Sequence, residues 1–220
     1  MPMKTIPSPL LLFAAAATLA LGQMAHAQNK LLDVLQDENA RDADFWIYND
    51  LAAARAEAKR ANKPLFVTFR CVPCADCKGF DAEVAKNNQR IKNFTQEKFV
   101  AVRQVEMKGV DLSQFQFDYD LNWAAMFINA DGTVYARYGT QSAKGADAYN
   151  SIESPEKTMR RVLALHKNYP ANKATLAGKI GKPKPYKTAL QMPGMKHRSK
   201  LTDSTARNNC VHCHNIHDAE

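Results

Sequence analysis

The sequence predicts an α/β fold: a mixed sheet flanked by helices, followed by a mostly irregular basic tail. Three observations carry this. Two apolar runs, residues 65–69 (LFVTF) and 124–128 (AAMFI), are continuous, as strands buried on both faces are. Asn129-Ala130-Asp131-Gly132 is a turn signal joining the second run to a returning strand at 133–138. Helix-forming stretches alternate with these strands. The order is helix, strand, helix, strand, helix, strand, hairpin, strand, helix, which a mixed sheet with helices on both faces satisfies.

Residues 1–27 form a leader. Lys4 supplies a basic start, residues 10–21 an apolar run, and Ala25-His26-Ala27 a small-x-small cleavage site. The run is short for a bilayer span, and no second candidate exists, so no membrane span is expected after cleavage. The mature chain then starts near Gln28 and is exported, with the bacterial periplasm as the expected compartment, where disulfides persist. Residues 28–170 are assigned to one domain and 171–220 to the tail.

The formal net charge is +8. Nine Lys/Arg against three Asp/Glu fall in residues 171–220, so +6 belongs to the tail and the main domain is near neutral. Export and the lack of interleaved aromatics argue against nucleic acid as a partner. A solvated or partner-docking tail is expected.

Within the domain, residues 29–63 read as helical. The stretch 51–61 is made of strong helix formers, with Asn49 or Asp50 as N-cap and Asn62 with Pro64 as the stop. The strand 65–69 follows. A helix carrying Phe80 and Val84 comes next, then a strand at 99–106 (FVAVRQVE). Residues 111–119 read as a short helix or turn. Ser154-Pro155-Glu156 opens the last helix with Pro at its first position, Met159, Val162, Leu163 and His166 form one face, and Tyr169-Pro170 ends it. Residues 171–200, with Lys-Pro-Lys-Pro and Met-Pro-Gly-Met, lack the periodicity of a core-forming segment.

Cys71, Cys74 and Cys77 lie where strand becomes helix. Cys74 and Cys77 form a C-x-x-C at the expected first helical turn, where unpaired N–H groups and the helix dipole stabilise a thiolate. In a βα setting that spacing is a redox motif; a structural disulfide or half of a zinc site are the alternatives.

Residues 63–139 resemble the thioredoxin superfamily, in particular its exported branch with a helix just before the first motif strand. The matching pieces are KPLFVTF, the C-x-x-C five residues after Phe69, Asp81-x-x-Val84, KFVAVRQVE and the MFINADGTVYARYG hairpin. The resemblance implies a thioredoxin-like sheet and a thiol–disulfide oxidoreductase with Cys74 as attacking and Cys77 as resolving thiol. Protein thiols and disulfides, or a periplasmic redox partner, are the implied partners. Three departures stand out. Pro73 replaces the usual Trp, and Ala75-Asp76 replaces Gly-Pro, with the acid disfavouring a thiolate. No proline lies between Pro73 and Pro155, so Trp123 or Ala124 occupies the family's cis-proline place. That departure favours the alternative of a non-catalytic binding scaffold whose Cys and His sites hold haem, zinc or copper.

Cys71 makes the loop a C-x-x-C-x-x-C. It is a buried apolar residue, an exchange partner for Cys74, or an additional metal thiol.

The tail ends in Cys210-Val211-His212-Cys213-His214, the spacing of covalent c-type haem attachment. Two thiols add to the haem vinyl groups and the histidine becomes an axial iron ligand. Met192, Met195, His197 and His217 are candidate distal ligands. A zinc site of Cys210, Cys213, His214 and His217 (or His212), or a plain disulfide, are the alternatives. Only six residues follow His214, so a haem pocket needs residues 171–209 and the first domain, or a further domain of a longer protein. With five cysteines, two thioethers leave Cys71 unpaired beside a Cys74–Cys77 bridge.

Overall fold

The computed structural model describes residues 30–41, 43–76, 78–139, 144–145, 148–195, 201 and 205–220. The expected leader at 1–27, Cys77 and His197 lie outside the described residues.

Five strands form one mixed sheet: β1 (Trp46–Tyr48), β2 (Leu65–Arg70), β3 (Val100–Gln104), β4 (Trp123–Ile128) and β5 (Val134–Tyr138). Their order is β1-β3-β2-β4-β5, with β1, β3 and β2 parallel and β4 and β5 antiparallel additions. The fold class is as expected. The central strands are buried at every position, which is why they read as unbroken apolar runs. The β4–β5 turn closes on Gly132, whose φ of +94° lies in the region glycine tolerates.

Helix α1 (Leu51–Ala61) starts where Asp50 accepts the Ala53 N–H at 2.9 Å. It stops at Asn62, a left-handed C-cap with φ of 49°. The segment before it corrects the reading of 29–63 as helical throughout. Residues 30–35 are helical, but Trp46–Tyr48 is an edge strand paired to β3. Three residues are too few to show a period-2 pattern against a helix-forming neighbour.

The helix after the cysteine loop, α2 (Lys78–Ala82), continues into a π-helical turn at Glu83–Asn87. A further helix, α3 (Gln89–Lys98), leads into β3 and is capped by Asn88. Residues 111–119 form turns and bends. Helix α4 (Glu153–Lys167) places Pro155 within its first turn rather than at its first position.

The sheet separates two apolar layers. On one face Phe66, Ala101, Ala125 and Phe127 pack with Phe80, Val84 and Ile91, and with Met159 and Val162 of α4. On the other, Leu65, Val67, Phe69, Ala124 and Met126 pack with Ala54 and Ala58 of α1. The tail joins that second layer. It is irregular as expected, with short helical turns at α5 (Lys173–Leu176) and α6 (Cys213–His217). Even so, Ala189, Met192, Met195, Val211, Cys213 and Ile216 are buried in the same cluster as the sheet residues. Backbone bonds anchor the tail: Leu112 N–H donates to Lys187 O, and Met107 N–H to Val211 O, each at 2.8 Å. The apolar side chains are inserted one at a time from an irregular path, so no periodicity betrays their burial.

Candidate functional site

The site forms at the C-terminal ends of β2 and β3. Two arginines there belong to buried, largely apolar strands: Arg70 ends β2 and Arg103 lies within β3. Both side chains are nearly fully buried. A buried cation needs a partner, and both find aspartates. Arg103 donates to both Asp37 oxygens, at 2.6 and 3.0 Å, and to both Asp81 oxygens, at 2.9 and 2.7 Å. Arg70 donates to Asp81 as well. The remaining capacity of these groups is used by neutral donors. Asn39 and the Trp123 indole N–H donate to Asp81, at 2.6 and 3.0 Å, and Tyr48 to Asp37 at 3.1 Å.

Burial alone would raise the Asp81 pKa. The Arg103 charge and hydrogen bonds, then Arg70, outweigh it, so the carboxyl lies well below the usual carboxylate range. The unfolded chain therefore binds this proton more tightly than the folded one. The Asp81 contribution to stability is complete above its unfolded value of about 4 and is lost as pH falls below that toward the depressed folded value. Urea midpoints measured at pH 5 and pH 3 should drop for the wild type. Asp81→Asn should lose stability at pH 5 and show a smaller further drop; an equal drop in both proteins would remove Asp81 as the acid-sensitive group.

The same Arg70 guanidinium holds the cysteine loop. Its N–H groups reach the carbonyls of Cys71, Val72 and Cys74, each at 3.3 Å. Asp81, one turn into the following helix, thus fixes Arg70, and Arg70 fixes the loop. The Cys74 N–H donates to Cys71 O at 3.3 Å, so these two cysteines share one turn. Cys71 is buried, and that burial pushes its thiol up to about 11. Cys74 is half-buried and lines a surface cleft of about 290 Å³ with Val72, Pro73, Arg70, Lys78 and, from the tail, Arg207.

Trp123 stands in register with Arg70 across the β2–β4 pair. It is 1 % exposed, its ring packs edge-on to Phe80 at 5.0 Å, and its N–H is spent on Asp81. No cis peptide bond precedes Trp123 or Ala124; among the described residues the one cis bond is Tyr169–Pro170.

The tail motif lies at the end of β3. Cys213 opens α6 and is 5 % exposed within the core cluster that also holds Met192 and Met195. Burial, with Cys71 the next contributor, pushes its thiol up to about 12. Cys210 is half-buried, its sulfur 3.5 Å from Val105 O, and burial followed by Glu106 and Cys71 raises its pKa. His214 is half-buried with Nε2 2.7 Å from Asp120 O, and His217 is exposed. Among the described residues, no three His, Cys, Asp or Glu side chains are grouped to hold a metal ion. As folded, these residues do not fit a haem. Thioether attachment needs both sulfurs on an open face and the imidazole nitrogen turned to the iron, whereas Cys213 is in the core and the His214 nitrogen meets a carbonyl.

Sequence reasoning missed Asp37, Asn39, Arg70 and Arg103, and the role of Asp81. A signal existed: Arg70 and Arg103 adjoin or interrupt largely apolar runs, and a cation buried there requires an acid.

Residues 46–130 match a family model described as thioredoxin-like. No curated protein matches the chain. Among solved structures the chain is similar to a disulphide isomerase from Xylella fastidiosa Temecula1, at 18% identity over 53% of this chain and 85% of that one, with a TM-score of 0.28. A likeness of that size carries no inference about activity. The sheet order, the flanking helices and the matched segment make the fold thioredoxin-like.

Proposed function

We propose that this protein is an exported thiol–disulfide oxidoreductase that acts in the periplasm through Cys74 and Cys77. One observation supports this most: in a thioredoxin-like fold, Cys74 is half-buried, it borders an open cleft, and Arg70 fixes its backbone. Cys74 attacks one sulfur of a substrate disulfide and the other leaves as a thiol. Cys77 then attacks Cys74, releasing the second substrate thiol and leaving a Cys74–Cys77 bridge.

Limiting iodoacetamide on the reduced protein near neutral pH should label Cys74 before Cys77 and Cys71. Labelling of Cys77 or Cys71 first would reverse the assigned roles. Cys74→Ser should reduce turnover of a disulfide peptide by at least about a hundredfold, since among the described residues Cys74 is the thiol that lines the cleft. Unchanged binding of a partner with no thiol exchange in either form would support the scaffold alternative instead. Trp123 or Ala124, in place of a proline, predicts slow turnover of a broad substrate such as insulin; a rate equal to that of an ordinary thioredoxin would make this departure immaterial. Export is tested by the N-terminus of the mature protein, expected near Gln28 in a periplasmic extract.

Covalent haem held by Cys210, Cys213 and His214 is the competing reading of the tail motif. It requires α6 to open. Periplasmic expression with the cytochrome maturation machinery decides it: a denaturation-resistant mass increase of one haem and a sharp c-type α band establish it. A colourless protein with one chelatable zinc establishes the zinc alternative.

A further inference from the structure

Three separate segments bound the cleft beside Cys74: residues 36–39, the cysteine loop with Lys78 after it, and Arg207 of the tail. The tail arrives there because its loop is tied down just beyond β3. Glu106, buried after that strand, accepts from the Thr205 hydroxyl at 2.9 Å and from the Val211 N–H at 3.0 Å, and Asn209 Oδ1 accepts the Ala206 N–H at 2.6 Å. β2 and β3 are parallel neighbours, so the loops that follow them leave the sheet at one end. Arg207 then reaches Gln36, whose side-chain oxygen accepts from its guanidinium. Gln36 ends the helical segment 30–35 with a left-handed φ of 55°, uncommon outside glycine.

Most charges along the cleft are already matched. Asp37 is held by Arg103, Arg70 by Asp81, and Glu38 by Arg41 at 2.9 Å. Lys78 and Arg207 are exposed, and neither meets a carboxylate among the described residues. Asp76 is exposed in the same loop but does not line the cleft. The cleft therefore presents two unmatched cations beside Cys74. At about 290 Å³ it lies at the lower limit of ligand pockets, roughly 300–1,000 Å³, which leaves room for the residues flanking a disulfide and not for a large cofactor.

We propose that Arg207, with Lys78, selects disulfide peptides that carry carboxylates next to the reacting cysteine, so that the tail completes the substrate site of the cysteine loop. The proposal rests on Cys74 being the substrate-facing thiol. A glutamate or aspartate beside the substrate disulfide pairs with the two cations, which draws the peptide into the cleft and brings its sulfurs to Cys74. The Arg207 guanidinium is already oriented by Gln36 and offers its remaining N–H groups to that carboxylate. A peptide with lysine in the same place meets like charge and is turned away.

The test uses the full mature chain and two disulfide peptides that differ only in having glutamate or lysine beside the cysteines. At low salt the wild type should turn over the glutamate peptide with a kcat/KM at least about tenfold higher, through KM rather than kcat, and added salt should compress that ratio. Arg207 is exposed, so its substitution leaves the core intact. Arg207→Ala should lower the ratio at least about threefold, and Arg207→Glu should bring it to about one or below. A wild-type ratio near one overturns the proposal, as does a ratio that Arg207→Glu leaves unchanged. Failure of the Cys74 assignment shows separately, through S-methylated forms of both peptides, which cannot exchange, titrated by fluorescence anisotropy. In that case neither disulfide peptide turns over, while the S-methylated glutamate peptide still binds more tightly than the lysine one and loses its advantage in Arg207→Glu. Equal binding of the two S-methylated peptides overturns the proposal by itself.

Discussion

Arg103→Leu will be among the most destabilising single substitutions in this protein. Removing the guanidinium leaves Asp37 without its buried cation and Asp81 with Arg70 alone, in a site almost without solvent. Breaking a buried ion pair by deleting one partner costs about 3–5 kcal/mol, because the remaining charge keeps its desolvation penalty. For a chain of this size that corresponds to a melting temperature lower by about 6–20 °C. The effect should be non-additive. In a cycle with Asp81→Asn, the double variant should be less destabilised than the sum of the singles by about 0.5–3 kcal/mol, since Arg103 and Asp81 share two hydrogen bonds. Thermal melts followed by circular dichroism measure both quantities. A melting temperature within about 2 °C of wild type would show that water or rearrangement satisfies the aspartates. Asp81 also fixes Arg70, and Arg70 the cysteine loop, so the same substitutions should broaden the alkylation selectivity for Cys74.

Much of the fold was readable before any coordinates because its central strands are covered on both sides. LFVTFR and WAAMFI have no solvent-facing position, so each is a run no surface loop would carry. α1 was readable from composition and its caps. What escaped did so for local reasons. Trp46–Tyr48 is a strand only because β3 lies beside it. α3 is polar, burying little beyond Ile91 and Thr95, and so lacks an apolar stripe. The site was half legible. The spacing of Cys71 and Cys74 placed them at the strand end, but nothing local relates them to Cys210 and Cys213, 139 residues from Cys71 to the first of them. The tail motif reaches the end of β3 only in the folded chain, through bonds such as Met107 N–H to Val211 O. The arginine–aspartate network lies between these cases: each arginine was conspicuous by its neighbours, but the acids, Asp37 and Asp81, come from two distant segments.

A chain ending at residue 170 will lose the stability of the thioredoxin-like domain, although that domain holds all five strands. Met192, Met195, Val211 and Ile216 are each at most 5 % exposed, and they cover the layer that includes Phe69, Met107, Leu112, Phe115 and Met126. Burying one such aliphatic side chain contributes about 1.5–3 kcal/mol. The shortened chain escapes the entropy of ordering the tail, which offsets part of this. It gains nothing to replace the cover on its own apolar residues, and Met107 and Leu112 lose the carbonyls their N–H groups reach. The expected result is a chain that binds a hydrophobic dye, loses near-ultraviolet circular dichroism, and melts at least about 10 °C below the full chain. Met192→Ala in the full chain supplies an independent measure, with an expected cost of about 2–5 kcal/mol. A residue-170 chain that melts with the full protein, together with a harmless Met192→Ala, would make the tail an appendage. A destabilised pair would instead show that the tail and the sheet share one core, so that neither folds fully without the other.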